Sequence, residues 1–527
     1  MTEEAKSSRV EVATRYFFPV ILFLIACCYF GIYALYGVNL LDEGYLLNPA
    51  LRVLRGELPG KDFYHFYPPG RFYLLSVLMS VFGVGISVER WTFVILRSFE
   101  AVLSWKLLAR YSTRRWGLIA YVGILLVPGP AHKVFFGLSV LLILNALAWC
   151  VERPGMRKYF IYGALIGFIA LLRHDVAAFG VLIGIIAIAA SAEKPVRERM
   201  KTIAFMAFGI LVLLMFPVAV WHIQGSLGDI LHQAIVAGPK GNRANAIPFP
   251  APWEGWSVSL HDGLKSACFW VGPVIYSISF IYLYRDYRRR DSTTHSPNRV
   301  MMLAIAVMGV LCLNQARIRS DLPHLYQALT PVFVAVGLLC YPFFKAGGKL
   351  RWIASALLPV ALLAMQTLGS SDLYHGTPSV MIGRDVRLKT GRGELALTGP
   401  EADQLGRILK FIDNHTARGD AILVVPQAPL IYFLSDRKNP TRFELLRQGR
   451  WTTVEKEKAV VDDIRAALPK VVIYEDQSHL PPEKRFARYA PRIETYLKNN
   501  YCEADRAVSF KLMLPVGSAE CRHATGL

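Results

Sequence analysis

Several motifs that often identify a protein are missing from this sequence of 527 residues. None of its eight cysteines belongs to a CxxC pair or to a Cys/His set with metal-ligand spacing, so nothing indicates a zinc module or a thioredoxin-like redox site. No GxGxxG or GxxxxGK[ST] loop is present, which argues against dinucleotide and P-loop nucleotide sites. The chain also has no low-complexity tract and no internal repeat. The missing repeat counts against a transporter built from inverted repeats.

Acidic residues are scarce relative to basic ones, with 39 Asp and Glu against 59 Lys and Arg and a formal net charge of +20. Nucleic-acid binding is one interpretation of such an excess. However, no basic and aromatic stripe accompanies the charge. The basic residues form short clusters between apolar blocks, as the positive-inside rule predicts for a membrane protein. We therefore expect membrane lipids as partners and no nucleic acid.

Hydrophobic residues make up 54% of the chain, and they are concentrated before about residue 370. The apolar blocks there are roughly 15–22 residues long, which suits helices that cross a bilayer. The sequence therefore predicts a polytopic α-helical membrane domain at 1–370 and a soluble domain at 371–527. The predicted spans are 16–36, 72–88, 91–108, 117–129, 131–150, 159–172, 176–192, 202–223, 264–284, 300–315, 325–344 and 352–370.

The basic connectors predict the orientation of these spans. Placed in the cytoplasm with the N-terminus, they leave residues 37–70, 224–263 and 316–324 outside, and the tail with them. An inside N-terminus and an outside C-terminus require an odd number of crossings, so eleven or thirteen transmembrane helices are both compatible with the sequence. The connectors are Arg110–Arg115, Arg153–Lys158, Lys194–Lys201, Arg285–Arg299 and Lys345–Arg351.

The tail alternates predicted helices and strands, which is typical of a small α/β domain. Helices are expected at 400–415, 455–467 and 484–498, strands at 421–425 and 471–475, and a helix-turn at 429–434. Cys502 and Cys521 lie in this tail. Outside the cytoplasm they could form a disulfide, and the sequence leaves this open.

The first outer loop carries the most informative residues. Asp42 and Glu43 follow an apolar span directly, where ionisable groups are costly unless they are solvated or used. The spacing of Leu and Val after them predicts an amphipathic helix at the membrane interface. The alternative for Asp42 is an N-cap of that helix.

The order of these features resembles the GT-C superfamily of membrane glycosyltransferases. A span is followed by Asp42-Glu43, an interfacial segment with a Gly-Glu-Leu-Pro-Gly turn, and Tyr67-Pro-Pro-Gly. Within that superfamily the chain is most similar to the bacterial protein mannosyltransferase and aminoarabinose transferase group (glycosyltransferase family 39/83-like). The tail segment Tyr432–Arg442 also resembles a stretch found in bacterial members. A Tyr-Pro pair stands where the aminoarabinose enzymes carry Lys-Pro, so their phosphate contacts do not transfer.

The resemblance implies an enzyme in a bacterial inner membrane, with the tail in the periplasm. It would move a sugar from a polyprenyl-phosphate donor to a glycan, lipid or protein acceptor. Asp42 maps onto the catalytic base and Glu43 onto its less certain neighbour. A single base with direct displacement implies inversion at the anomeric carbon. A transporter or flippase of lipid-linked sugars, or a non-catalytic envelope-assembly protein, remains the alternative.

Cations on the outer side would stabilise the departing phosphate. Each candidate also has a structural interpretation, as a solvated loop or as an internal ion pair. The donor-side candidates are Tyr67, Arg71, Arg173, His174, Arg317, Arg319 and His324. On the acceptor side, Arg437 and Arg442 are the candidates. We expect no cofactor and no metal, although the adjacent carboxylates at 42 and 43 could bind a divalent cation.

Overall fold

A computed structural model describes residues 3–127, 129–190, 195–237, 246–289, 297–369, 378–448 and 454–521. The chain forms two compact units. The first comprises Met1–Ala34, Trp91–Pro217 and Ile247–Val380, and the second comprises Leu35–Arg90, Val218–Ala246 and Met381–Leu527. Part of the predicted 224–263 loop, residues 238–245, lies outside the described residues, as do tail residues 371–377.

The first unit is built almost entirely from long apolar helices. Helices α7 and α9 approach so closely that a Cβ added at Gly163 would lie 2.0 Å from the Met206 carbonyl oxygen. Glycine is therefore required at this crossing, as is common between transmembrane helices. The helices are α1 (Glu3–Gly31), α4 (Ile86–Arg110, whose first turn belongs to the second unit), α5 (Arg114–Leu126), α6 (Val134–Glu152), α7 (Met156–Leu172), α8 (His174–Ala190), α9 (Val196–Ile223, which ends in the second unit), α11 (Leu260–Arg289), α12 (Pro297–Ile318), α13 (Leu322–Ala328), α14 (Thr330–Lys345) and α15 (Lys349–Gly369).

A helix occupies each of the twelve predicted spans, so the polytopic α-helical prediction is confirmed. Among the described residues, four helices are long and apolar enough to cross a membrane on their own, and two bent pairs would raise this number to six. The predicted single span at 325–344 is wrong in detail, because α13 and α14 meet there at 49°. Pro331 stands in the first turn of α14, where its missing N–H and its ring prevent a continuous helix.

The second unit contains the α/β tail that the sequence predicts. Its four-stranded sheet has the order β3-β4-β6-β5, with β3 and β4 parallel and the other neighbours antiparallel. A separate hairpin pairs β1 with β2. The strands are β1 (Val386–Thr390), β2 (Gly393–Leu397), β3 (Leu423–Val425), β4 (Val472–Glu475), β5 (Tyr501–Ala507) and β6 (Phe510–Pro515).

The helices of the second unit come from three separate parts of the chain. In the tail, the helices predicted at 400–415 and 455–467 are found within one residue of those bounds, while the one expected at 484–498 is split in two at Ala490. The helices are α2 (Gly44–Leu54), α3 (Gly70–Phe82), α10 (Leu227–His232), α16 (Gly399–His415), α17 (Leu430–Ser435), α18 (Val454–Ala467), α19 (Phe486–Tyr489) and α20 (Pro491–Asn500).

Helix α2 differs from the predicted interfacial helix, because its residues from Gly44 to Arg52 are all buried in the protein. A Cβ at Gly44 would lie 1.9 Å from the backbone nitrogen of Leu430, so the start of α2 packs directly on α17. The guanidinium of Arg52 donates to Glu444 Oε1 at 2.8 Å. The helix that follows the acidic pair is thus packed on the tail and buried by protein.

Cys502 and Cys521 form a disulfide, with their Cα atoms 5.7 Å apart. The bond connects strand β5 to the segment that follows β6. The six other cysteines are free thiols, and four of them are buried in the apolar core of the first unit.

Candidate functional site

Asp42 lies in a tight turn just before helix α2 and is half-buried. The turn is organised by Asn39, whose side-chain Oδ1 accepts the backbone N–H of Asp42 at 2.8 Å and that of Leu41 at 3.1 Å. The Asn39 side-chain amide donates to Asp42 Oδ2 at 3.0 Å. The N-cap position of α2 is occupied by Glu43, without a side-chain cap bond. The N-cap alternative for Asp42 is therefore not what the structure shows.

Glu43, the second carboxylate, is engaged in an ion pair. Arg90 donates through Nε to Glu43 Oε1 at 2.9 Å and through its NH2 group to Oε2 at 3.1 Å. The Asn39 backbone N–H adds a third bond to Oε2 at 2.9 Å, and the two side chains are only 13% and 8% exposed. Such a bidentate pair holds Glu43 in one geometry. The neighbouring acidic residues thus have different surroundings.

Arg71 stands in the first turn of α3 and is buried, with 1% of its surface exposed. Its guanidinium lies 3.9 Å from the centre of the Tyr67 ring, within the range of a cation–π contact. His65 supports this arrangement, because its Nδ1 accepts the Tyr67 backbone N–H at 3.0 Å. Its Nε2 then carries the proton and donates to the Tyr45 carbonyl at 2.7 Å. Arg71, Tyr67, Asp42 and their supports all belong to the second unit.

A cluster of charged residues in the first unit contains Arg319 and His324. Asp321 joins them, since its carboxylate accepts from Arg319 Nε at 2.5 Å and contacts His324 Nδ1. Asp321 is also the N-cap of α13 and accepts the His324 backbone N–H at 3.0 Å. Burial works to raise the pKa of Asp321, but the hydrogen bond and charge of His324 and the charges of Arg319 and Lys133 outweigh it, so the pKa lies below its ordinary value.

The remaining donor-side candidates of the first unit, which differ in burial and in hydrogen-bond partners, are Arg317, Arg173 and His174. Arg317 is exposed and donates to the side-chain oxygen of Asn314 at 2.8 Å. Arg173 is buried, and it pairs with Asp175 through two bonds of 2.9 and 2.5 Å. Such an internal pair is the structural interpretation that the sequence left open. His174, the first residue of α8, is exposed.

The two tail arginines differ in exposure. Arg437 is 4% exposed, and its guanidinium donates to Asp413, to Thr416 and to the carbonyl of Ser435 within the tail. Arg442 is exposed, and its backbone carbonyl accepts the N–H of Tyr64 at 2.8 Å. This bond joins the tail to the segment between α2 and α3. Arg442 alone therefore presents a cation at the surface.

Three supporting residues were not recognised in the sequence: Asn39, Arg90 and His65. A charged residue at the start of an apolar block was a usable signal for Arg90. Asn39 and His65 act through hydrogen bonds to the backbone of near neighbours, and no pattern of residue types predicts such bonds.

Metal binding has no visible basis in the described part of the chain. No group of three or more His, Cys, Asp or Glu side chains there is arranged to hold an ion. Asp42 and Glu43 contribute only two carboxylate side chains, and both oxygens of Glu43 already accept from Arg90.

Neither a protein-family model nor a curated protein sequence matches this chain. Solved structures match it over almost its whole length. ArnT from Cupriavidus metallidurans bound to undecaprenyl phosphate has a TM-score of 0.55 at 12% identity, covering 97% of this chain and 99% of ArnT. The archaeal oligosaccharyltransferase AglB from Archaeoglobus fulgidus, in complex with an inhibitory peptide and a dolichol-phosphate, has a TM-score of 0.55 at 14% identity, covering 95% of this chain and 74% of AglB.

A further structure of the Archaeoglobus fulgidus oligosaccharyltransferase, in complex with zinc and sulfate, has a TM-score of 0.52 at 14% identity and covers 92% of this chain and 71% of its own. Likeness at such low identity establishes the fold. The chain has the fold that ArnT and the AglB oligosaccharyltransferase share, and its apolar helices are those of a multi-pass membrane protein. The sequence prediction of a GT-C-like fold is confirmed.

Proposed function

We propose that this protein is an integral membrane glycosyltransferase that takes a sugar from a polyprenyl-phosphate donor. The proposal depends mainly on one observation: Asp42 is a half-buried carboxylate held in place by Asn39 in the loop that follows the first helix. It is supported by the fold, since ArnT binds undecaprenyl phosphate and AglB binds dolichol-phosphate.

In the proposed reaction Asp42 is the general base. Its carboxylate takes the proton of an acceptor hydroxyl as the oxygen attacks the anomeric carbon. The bond from that carbon to the phosphate oxygen breaks, and both electrons leave with the polyprenyl phosphate. One displacement inverts the configuration at the anomeric carbon. We assign the base to Asp42 rather than Glu43, because both oxygens of Glu43 accept from Arg90.

Cationic side chains would stabilise the negative charge that develops on the leaving phosphate. In the second unit we assign this role to Arg71, with Tyr67 orienting its guanidinium. The cluster of the first unit, Arg317, Arg319 and His324, stays a prediction from the sequence for donor binding. Burial lowers the pKa of His324 to about 4, so the ring is neutral at pH 7 and the positive charge of the cluster comes from the two arginines. Arg173 already pairs with Asp175, so its contribution would be positional.

The remaining assignments concern the acceptor and the compartment. Of the two tail candidates, the exposed Arg442 is proposed to contact the acceptor, whereas the buried Arg437 is not included. We place the protein in a bacterial inner membrane with the tail in the periplasm. The disulfide between Cys502 and Cys521 supports this placement, because disulfides persist in oxidising compartments.

Asp42→Asn membranes test the proposal. Wild-type and variant protein would be assayed with radiolabelled undecaprenyl-phosphate hexoses and pentoses, and transfer would be measured as label in material other than the donor. We expect at least a 100-fold loss of transfer for Asp42→Asn, because loss of a general base costs about 10²–10⁴ in rate. Asp403→Asn is the matched control, since Asp403 is exposed on α16, and it should retain full activity. A fully active Asp42→Asn protein would refute the base.

A further inference from the structure

Asn39 makes five hydrogen bonds within five residues of chain, one of which its backbone carbonyl accepts from the Glu43 N–H at 3.3 Å. Its side-chain oxygen accepts the N–H groups of Leu41 and Asp42, at 3.1 and 2.8 Å. This is the geometry in which an asparagine side chain closes a turn on the backbone that follows it. Its own backbone N–H donates to Glu43 Oε2 at 2.9 Å. Asn39 is therefore connected to both carboxylates that follow it.

The orientation of the Asn39 amide is determined by these bonds. Backbone N–H groups can only donate, so the atom that faces those of Leu41 and Asp42 must be the side-chain oxygen. The NH2 group then points the other way, towards Asp42 Oδ2 at 3.0 Å. A flipped amide would turn its NH2 group towards the N–H groups of Leu41 and Asp42, and its oxygen towards the Asp42 carboxylate, so neither side could form a hydrogen bond. The contact with Asp42 is thus a hydrogen bond that the amide donates and the carboxyl oxygen accepts.

We infer that Asn39 is the positioning residue for Asp42, fixing its carboxylate for proton abstraction. This inference rests on the proposed function, in which Asp42 is the base. A hydrogen bond donated to a carboxylate favours its charged form and lowers its pKa. The same bond restricts the rotation of the Asp42 side chain, so Oδ2 is held in one position.

Asn39→Asp separates this role from a purely structural one. The new carboxylate still offers an oxygen to the N–H groups of Leu41 and Asp42, so the turn is retained. Its other oxygen faces Asp42 Oδ2, and two carboxylates at about 3 Å cannot both ionise easily. Glu89 and Arg90 of α4 also face this turn, since the buried Glu89 carboxyl interacts electrostatically with Asp42, Glu43 and Arg90, and the variant leaves all of these unchanged. The pair of carboxylates at positions 39 and 42 then binds a proton up to a higher pH, and the base is available only above that pH.

The measurement is the pH dependence of kcat/KM with the radiolabelled donor that the wild type uses best. For Asn39→Asp we expect the acid limb to move up by at least one pH unit, which gives about a tenfold loss on the limb and recovery towards wild-type rates at high pH. Donor KM should stay unchanged. Asn48→Asp is the matched control, because the Asn48 amide also donates to a carboxylate, that of Glu444, at 2.7 Å. It should lower stability without moving the limb.

Two results would overturn the inference: an Asn39→Asp profile that superimposes on the wild type, or one that falls equally at every pH. If Asn39→Asp does not extract as folded protein, Asn39→Ser replaces it, because serine keeps an acceptor for the turn but withdraws the amide donor. The acid limb of the Asn39→Ser pH profile should then move up by about one pH unit. An acid limb at the wild-type position would contradict the inference. Active Asp42→Asn protein would refute the proposed function itself, whereas inactive Asp42→Asn with an unshifted Asn39→Asp refutes only the role of Asn39.

Discussion

The pair formed by Glu43 and Arg90 gives the most quantitative prediction of stability. Glu43→Gln removes the charge but leaves the Arg90 guanidinium, whose side chain is only 8% exposed, without its ionic partner. Removing one member of a buried ion pair costs about 3–5 kcal/mol, because the remaining charge stays desolvated. Arg90 keeps a bond to the Gly37 carbonyl at 2.8 Å, so we expect the lower end, about 3 kcal/mol.

A double-mutant cycle makes this expectation sharper. Arg90→Met should be destabilising alone, because it leaves the Glu43 carboxylate without its guanidinium. The double variant Glu43→Gln, Arg90→Met should lose less stability than the two single variants lose together, because neither partner is left charged without the other. Coupling of about 2 kcal/mol or more is expected for a close pair of this burial.

The assay is thermal unfolding of detergent-solubilised protein, followed by tryptophan fluorescence and by loss of the monodisperse peak. Glu43→Gln should lower the midpoint by about 5 °C or more. Asp462→Asn is the control, because its partner Arg465 and Asp462 itself are 64% and 51% exposed, and surface pairs contribute little. A Glu43→Gln midpoint within one degree of the wild type, together with an additive double variant, would contradict the reasoning.

Two further predictions concern the tail. Burial works to raise the pKa of Glu401, but the Thr398 N–H and the charge of Arg384 outweigh it, so the pKa is lowered from 4.5. The stabilisation from ionised Glu401 is therefore present at neutral pH and is lost as pH falls through the folded-state pKa. Glu401→Gln keeps the cap but removes the charge. Its melting temperature should be lower than that of the wild type at pH 7 and equal to it at pH 3. Cys502→Ser should expose Cys521 to alkylation in intact cells, whereas Cys521 of the wild type should react only after reduction. Equal labelling of Cys521 in both proteins would place the tail in a reducing compartment.

The helices of the first unit could be predicted closely because length and hydropathy are strong signals for membrane spans. The break between α13 and α14 was also visible in principle, since Pro331 stands inside the apolar block. The tail was harder. Strands β3 and β4 are short buried runs that composition reveals, while β5 contains Glu503, Asp505 and Arg506 and takes its conformation from pairing with β6.

The site could be predicted only in part, because residue types reveal chemistry and not contacts. Asp42 was recognisable as an acid beside a membrane span. Arg52, in contrast, pairs with the nearby Glu57 and also with Glu444, which lies 392 positions away in the chain, and no local pattern contains the second contact. The burial of α2 has the same cause: its apolar face predicts a covered helix but not whether lipid or protein covers it.

The acidic pair shows how one dipeptide acquires two roles. Asp42 and Glu43 are adjacent and both approach Asn39, yet Asp42 accepts from a neutral amide while Glu43 accepts from a guanidinium. A carboxylate fixed in a bidentate ion pair gives up its partner's stabilisation when it takes a proton, so it is a poor base. A carboxylate held by an amide keeps its geometry with a smaller loss on protonation. Under the proposed function, these contacts favour proton transfer at position 42 and structural support at position 43, as in other sites where environment separates two neighbouring acids.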